Sequence, residues 1–203
     1  MRNNIYKLLL PAMLLMCGCH TSPPKQPSEP DIPIEKFQAT DIVFRLGRTI
    51  ESNLIATAGN DDNHYSHVGI LVNHNDSLKV IHIEPSPTHT TDIIKAESLQ
   101  DFFSIEKSLS GCVARFEELS SQKCNTIQTT VLQLLTSRIT FDHEYLLSDT
   151  CSMYCTELIE YIFNSAEISL SQGRSHALPF LQEPILLPSD LSQNSSLVKI
   201  WSY

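Results

Sequence analysis

The chain has 203 residues, 41% apolar and 18% charged, which fits one compact globular domain and excludes a wholly disordered or collagen-like chain. Six Gly and 11 Pro are too few for low complexity throughout, and no block recurs at a solenoid period. Fourteen Lys and Arg against 23 Asp and Glu give a formal charge of −9, so the basic footprint of a nucleic-acid binder is missing and no nucleic-acid partner is expected.

Residues 1–19 begin with Arg2 and Lys7, run through an apolar stretch at 8–16 and close on Cys17-Gly18-Cys19. This is the basic, apolar, small-residue order of a secretory signal peptide. The apolar stretch is shorter than the roughly 20 residues that span a bilayer, and Pro11 interrupts it, so a mature membrane span is not expected. Its end resembles a bacterial lipobox, which implies a signal peptide at 1–18 and a lipid on Cys19. Losing Arg2 and Lys7 makes the remainder more acidic, so attachment would rest on acyl chains rather than on charge. The proline-rich residues 19–36 suit an extended tether, leaving 37–203 as the folded domain. The expected address is the bacterial cell envelope, lipid-anchored and facing the periplasm in a Gram-negative cell.

Along the domain, residues 41–45 read as a β-branched strand and 50–58 as a helix ended by Gly59. Residues 67–73 and 79–84 are apolar-rich runs around the turn-forming His74-Asn75-Asp76-Ser77, a β-hairpin. Residues 98–103 suggest a short helix, 112–116 a strand, 121–138 a long helix, 153–166 an amphipathic helix and 197–201 a last strand. Antiparallel strands with packed helices make an α+β domain.

Cys155 lies beside the start of the amphipathic helix, where backbone N–H groups and the helix dipole favour negative charge. That placement predicts a thiol pKa below about 8.5 and donors for an oxyanion; the alternative is a buried packing cysteine or half a disulfide. In the hairpin, a two-residue turn at His74-Asn75 sets His67 opposite His82, whereas a four-residue turn at 74–77 sets His67 opposite Glu84. Either register gives His67 a partner that can orient its ring. A thiol at a helix start facing an oriented imidazole is the arrangement of a cysteine hydrolase.

Asp41-Ile42-Val43-Phe44, Tyr65-Ser66-His67-Val68-Gly69-Ile70, Phe141-Asp142, Tyr154-Cys155-Thr156-Glu157-Leu158-Ile159 and Leu187-Pro188-Ser189-Asp190-Leu191 resemble, in order and spacing, the YiiX and YebB group of permuted NlpC-type cysteine hydrolases. The resemblance covers about residues 40–191 and implies a circularly permuted papain-like fold with the His ahead of the Cys. It implies Cys155 as nucleophile, His67 as base and His82 as the third residue, with Glu84 in reserve and Tyr65 as a possible oxyanion donor or simply an aromatic cover for the strand end. The chain departs from the group in having Thr40 before Asp41, Thr156 after the Cys, and His82 where relatives often carry Glu. The implied activity is hydrolysis of an amide, with cell-wall peptides the leading substrate; acyl transfer or hydrolysis on lipid or ester substrates is the close competitor. No cofactor and no metal are expected.

Cys112, Cys124 and Cys151 remain, an odd number for an oxidising compartment, for which one disulfide and one free thiol is the simplest account. Cys151, four residues before Cys155, would share a helical face with it if the helix began earlier, and a bond between them would silence the nucleophile. Two rivals come from other classes: a zinc module using His64, His67, His82, Glu84 and Cys155, and a catalytically silent groove that binds peptide or lipid. His20, His74, His89, His143 and His176 read as surface or loop residues.

Overall fold

The computed structural model describes residues 28–59, 62–86, 92–149, 151–179 and 181–203. A 3₁₀ turn at Ile34–Lys36 leads to β1 (Ile42–Gly47), α1 (Ile50–Ala58), β2 (His67–His74) and β3 (Ser77–His82). Next come β4 (Lys95–Glu97), α2 (Leu99–Phe102), β5 (Ser108–Phe116) and α3 (Ser121–Thr136). β6 (Thr140–Phe141), β7 (Ser152–Met153), α4 (Cys155–Asn164), α5 (Pro188–Ser192) and β8 (Leu197–Ser202) complete the order. Six strands form one antiparallel sheet in the order β4-β3-β2-β1-β5-β8, while β6 and β7 pair in parallel apart from it. The architecture is α+β, with an antiparallel sheet and packed helices.

Side chains alternate between the faces of a strand, and this alternation divides the core. Ile42, Phe44, Val68, Ile70 and Ile81 face one side, where Leu158, Ile159, Ile162 and Phe163 of α4 pack on them. Val43, Leu71, Val80 and Val113 face the other, beneath Phe37, Leu99, Phe102 and Phe103. The same alternation sends Arg45, His67 and His82 to the second face. The imidazoles therefore lie on the side opposite α4, and the two sets of groups meet around the end of the sheet.

Local sequence explains the boundaries that were expected. Thr49 caps α1 by accepting the Ser52 N–H, and Gly59 closes the helix. Ser120 caps α3 in the same way through the Lys123 N–H. The hairpin turns on Asn75 and Asp76, whose φ values of 50° and 57° are left-handed, the conformation that two-residue hairpin turns demand and Asn and Asp tolerate. The pairs run from His74 with Ser77 through Asn73 with Leu78 to Ile70 with Ile81. This is the register of the longer-turn alternative, carried one pair nearer the tip.

Other expectations are corrected. The helix placed at 153–166 begins only at Cys155, because Ser152 and Met153 pair with Thr140 and Phe141. The β4 edge strand was not anticipated; it is three residues, Lys95-Ala96-Glu97, with no apolar alternation to signal it. The signal peptide, Cys17, Cys19 and the start of the tether lie outside the described residues. Within the described part of the expected tether, Glu29 accepts the Ile105 N–H at 3.0 Å and Ile32 lies against the second core. Cys112, Cys124, Cys151 and Cys155 are all free thiols, so the expected disulfide is not formed among them. Cys112 is held in β5 and Cys124 in α3, while Cys151 precedes β7 and shares no helical face with Cys155. No helix among the described residues is long and apolar enough to cross a membrane.

Gly69 is where packing tolerates least. A Cβ there would stand 2.8 Å from Val80 Cγ1, 3.1 Å from the Ile81 carbonyl oxygen and 3.2 Å from His82 Cβ. Its missing side chain lets His82, on the neighbouring strand, lean across toward His67. Gly69→Ala is expected to lower stability by about 1–3 kcal/mol through overpacking, measured by urea unfolding; an unchanged midpoint would show that β3 yields there without cost.

Candidate active site

Cys155 is the first residue of α4, following an extended Tyr154 at the N-cap. The Tyr154 backbone N–H favours the carboxylate of Glu157, third in the helix. The Cys155 thiol lies 3.7 Å from Thr156 Oγ1, and the backbone groups of Val68 and Thr156 favour its thiolate. Val68 directly follows His67, so the thiol reaches the strand that carries the imidazole. Burial nevertheless pushes the Cys155 thiol above its ordinary value, more than the Thr156 hydroxyl, the backbone donors and Arg45 bring it down. The expected low pKa is thereby corrected: the helix N-terminus does favour the thiolate, but loss of water outweighs it.

His67 lines the same cavity as the thiol. His67 Nε2 and His82 Nδ1 are 2.8 Å apart, a hydrogen bond between two buried rings set at 79°. Phe102 packs against both rings. Burial lowers His67 well below the usual imidazole value, with Arg45 and His82 adding to the effect. Burial also lowers His82, against an opposing pull from Glu97. Both rings are therefore neutral at pH 7, and the resting pair is a thiol with a neutral imidazole.

Carboxylates and cations surround the rings. His82 Nε2 lies 2.9 Å from Glu97 Oε1; the distance is that of an ion-pair contact, and the approach is too bent for a well-aligned hydrogen bond. Glu97 also meets Lys107 at 2.8 Å. Glu84 lies farther from the base, 3.8 Å from His67 Nε2, and is held by Arg45 at 2.5 Å and by Lys95. Burial would raise both carboxyls, but His67, His82 and Arg45 hold Glu84 at about 2, and His82 with Lys107 holds Glu97 at about 2. Arg45 is itself fixed by the Phe102 carbonyl at 2.9 Å and by stacking 4.4 Å over that ring.

A cavity of about 420 Å³ opens at this end of the sheet and is lined by Cys155, His67, Glu84 and Arg45 together. Phe141, Tyr145, Tyr154 and residues 185–188 supply apolar lining, and Arg48, Lys107, Glu51 and Glu106 add charges of both signs. Of the residues expected from sequence, Cys155 and His67 line one cavity and His82 touches His67. Glu84 lines the cavity without reaching His67 by a hydrogen bond. Tyr65 is buried, stacked on Phe44 with ring centroids 5.3 Å apart, and is not among the lining residues. His143 and His176, expected as plain surface residues, pair with Asp92 at 2.6 Å and Asp190 at 2.9 Å. Glu97 and Arg45 were missed, since neither carries a motif and both reach the rings through strand pairing.

No family model and no curated protein matches the chain. Among solved structures, the crystal structure of metalloprotein YiiX from Escherichia coli O157:H7 (DUF1105) matches with a TM-score of 0.65, covering 82% of this chain and 97% of that one. The fold is similar to that of YiiX. At 21% identity the likeness to YiiX concerns the fold, and "metalloprotein" describes YiiX.

Glu157 supplies a test of the helix start. Burial raises its carboxyl to about 8, with Asp142, Asp149 and Glu183 adding and the Tyr154 N–H opposing. A folded value above the ordinary 4.5 means this group's contribution to stability is full below pH 4.5. It is lost progressively as pH rises, and the loss is complete past about 8. Urea unfolding between pH 5 and 9 should show this decline, and Glu157→Gln should flatten it; equal slopes in both proteins would place the titration elsewhere.

Proposed function

We propose that the protein is a cell-envelope thiol hydrolase with a circularly permuted papain-like (NlpC-type) fold, cleaving amide bonds through an acyl thioester on Cys155. The observation that carries this reading is one cavity lined by both a helix-start thiol and His67, a buried imidazole hydrogen-bonded to His82. The chain order, with the histidine strands ahead of the cysteine helix, is that of a permuted member. Attachment through lipid on Cys19 would keep the site near the membrane and its cell wall.

Because thiol and imidazole are neutral at rest, the proton moves during attack. His67 takes it from Cys155 as sulfur bonds to the carbonyl carbon, and the first-turn N–H groups of α4 receive the oxyanion. The His67 imidazolium then protonates the departing amine. Water, deprotonated by His67, releases the acyl group and restores the thiol. His82 holds the His67 ring throughout, being nearer than Glu84.

A metal centre is the second reading, favoured by His67, His82 and Glu84, whose ligand atoms lie within 4.8 Å of one another. These groups fit a divalent cation poorly. The two facing nitrogens are bonded to each other, and Glu84 is already neutralised by Arg45 and Lys95.

Incubation with cell-wall stem peptides should release a free amine, with turnover abolished in Cys155→Ala and lowered about 10²–10⁴-fold in His67→Ala. Turnover of acyl lipids alone would move the substrate class to lipid, and unchanged turnover in Cys155→Ala would end the thiol mechanism. Metal analysis of purified protein should find less than one equivalent; a full equivalent of zinc, removed by chelator with loss of structure, would favour the metal centre.

A further inference from the structure

Beyond the thiol and its base, an ordered line of polar atoms runs inward from the cavity. It passes from His67 Nε2 to His82 Nδ1 at 2.8 Å and from His82 Nε2 to Glu97 Oε1 at 2.9 Å. Each imidazole nitrogen in this line is either protonated or bare, and a neutral ring carries one proton. The direction of the whole line is therefore decided at its inner end.

We infer that Glu97 is the positioning residue that sets this direction, keeping the His67 Nδ1 lone pair free for the Cys155 proton. The inference rests on the proposed role of His67 as base. A carboxylate offers only lone pairs, so at 2.9 Å it repels a bare Nε2 and favours the His82 proton there, even though the approach is bent. A neutral His82 then has a bare Nδ1, which must accept from His67 Nε2–H. His67, neutral in turn, is left with a bare Nδ1. No other arrangement of two protons suits the four facing atoms.

Glu97 is suited to this task where Glu84 is not. Lys107 holds Oε2 at 2.8 Å, leaving Oε1 for His82, and Arg45 lies 3.8 Å from that same oxygen. Glu84 is committed to Arg45 and Lys95 and stands 3.8 Å from the His67 ring. It contributes charge beside the base, whereas Glu97 contributes direction.

The same geometry predicts what an amide would do. In Glu97→Gln, Lys107 claims the amide oxygen, because an ammonium has only donors. The amide NH₂ then turns to His82 and requires a bare Nε2. The line reverses: His82 donates from Nδ1, His67 accepts on Nε2, and the His67 proton moves to Nδ1, where it blocks the base.

Long-range ¹H–¹⁵N correlation spectra of histidine-labelled protein read this directly, with His67 and His82 assigned by single substitution of the other histidines. In the native protein both rings should carry their proton on Nε2. In Glu97→Gln both should carry it on Nδ1, with kcat lowered at least tenfold and KM little changed. A native His67 protonated on Nδ1 would overturn the inference without any variant, even should Glu97→Gln fail to fold. A folded Glu97→Gln that keeps both protons on Nε2 would overturn it equally. The tautomers are read without substrate, so absence of turnover would count against the proposed hydrolase and not against the role of Glu97.

Discussion

The hydrogen bond between His67 and His82 is the interaction on which the arrangement of the site depends. The register of the hairpin, taken alone, would place His67 beside Glu84, since the pairs observed run from His74 with Ser77 inward. The contact formed is instead diagonal, and it forms because Gly69 leaves the space across which His82 leans. A single missing side chain on β2 therefore selects an imidazole over a carboxylate as the partner of the base. Both rings are buried under Phe102, where a neutral hydrogen-bonded pair is tolerated and an imidazolium is costly.

Charge around the pair is balanced rather than absent. Glu84 and Glu97 are ionised, and Arg45, Lys95 and Lys107 sit against them. Such a shell holds the carboxylates rigid but leaves little negative potential to raise the imidazoles, so burial decides their protonation. The thiol obeys the same rule: helix N-terminal donors attract charge to Cys155, and desolvation outweighs them. A site of neutral reactants in a partly apolar cavity favours proton transfer coupled to attack over a standing ion pair.

Much of this was legible in the sequence, for identifiable reasons. Thr49 and Gly59 punctuate α1, the turn-forming residues 74–77 mark the hairpin, and alternation together with either expected hairpin register puts His67 and His82 on one face. The start of α4 next to Cys155 followed from its apolar periodicity. What could not be read required distance between elements. Glu97 sits in a three-residue edge strand with no pattern of its own, and it reaches His82 because β4 pairs with β3. The thiol pKa went wrong because sequence shows the helix end and not the depth of burial. The disulfide expectation rested on parity of cysteines, which says nothing of where β5 and α3 hold Cys112 and Cys124.

The most direct test of the account is whether Cys155 accepts an acyl group with the help of His67. Intact-protein mass spectrometry during reaction with an activated N-acyl amino ester, followed by peptide mapping, would measure it. The account predicts one acyl adduct, on Cys155, released by hydroxylamine and formed at least a hundredfold more slowly in His67→Ala. Acylation spread over Cys112, Cys124 and Cys151, or equal rates with and without the His67 ring, would contradict it.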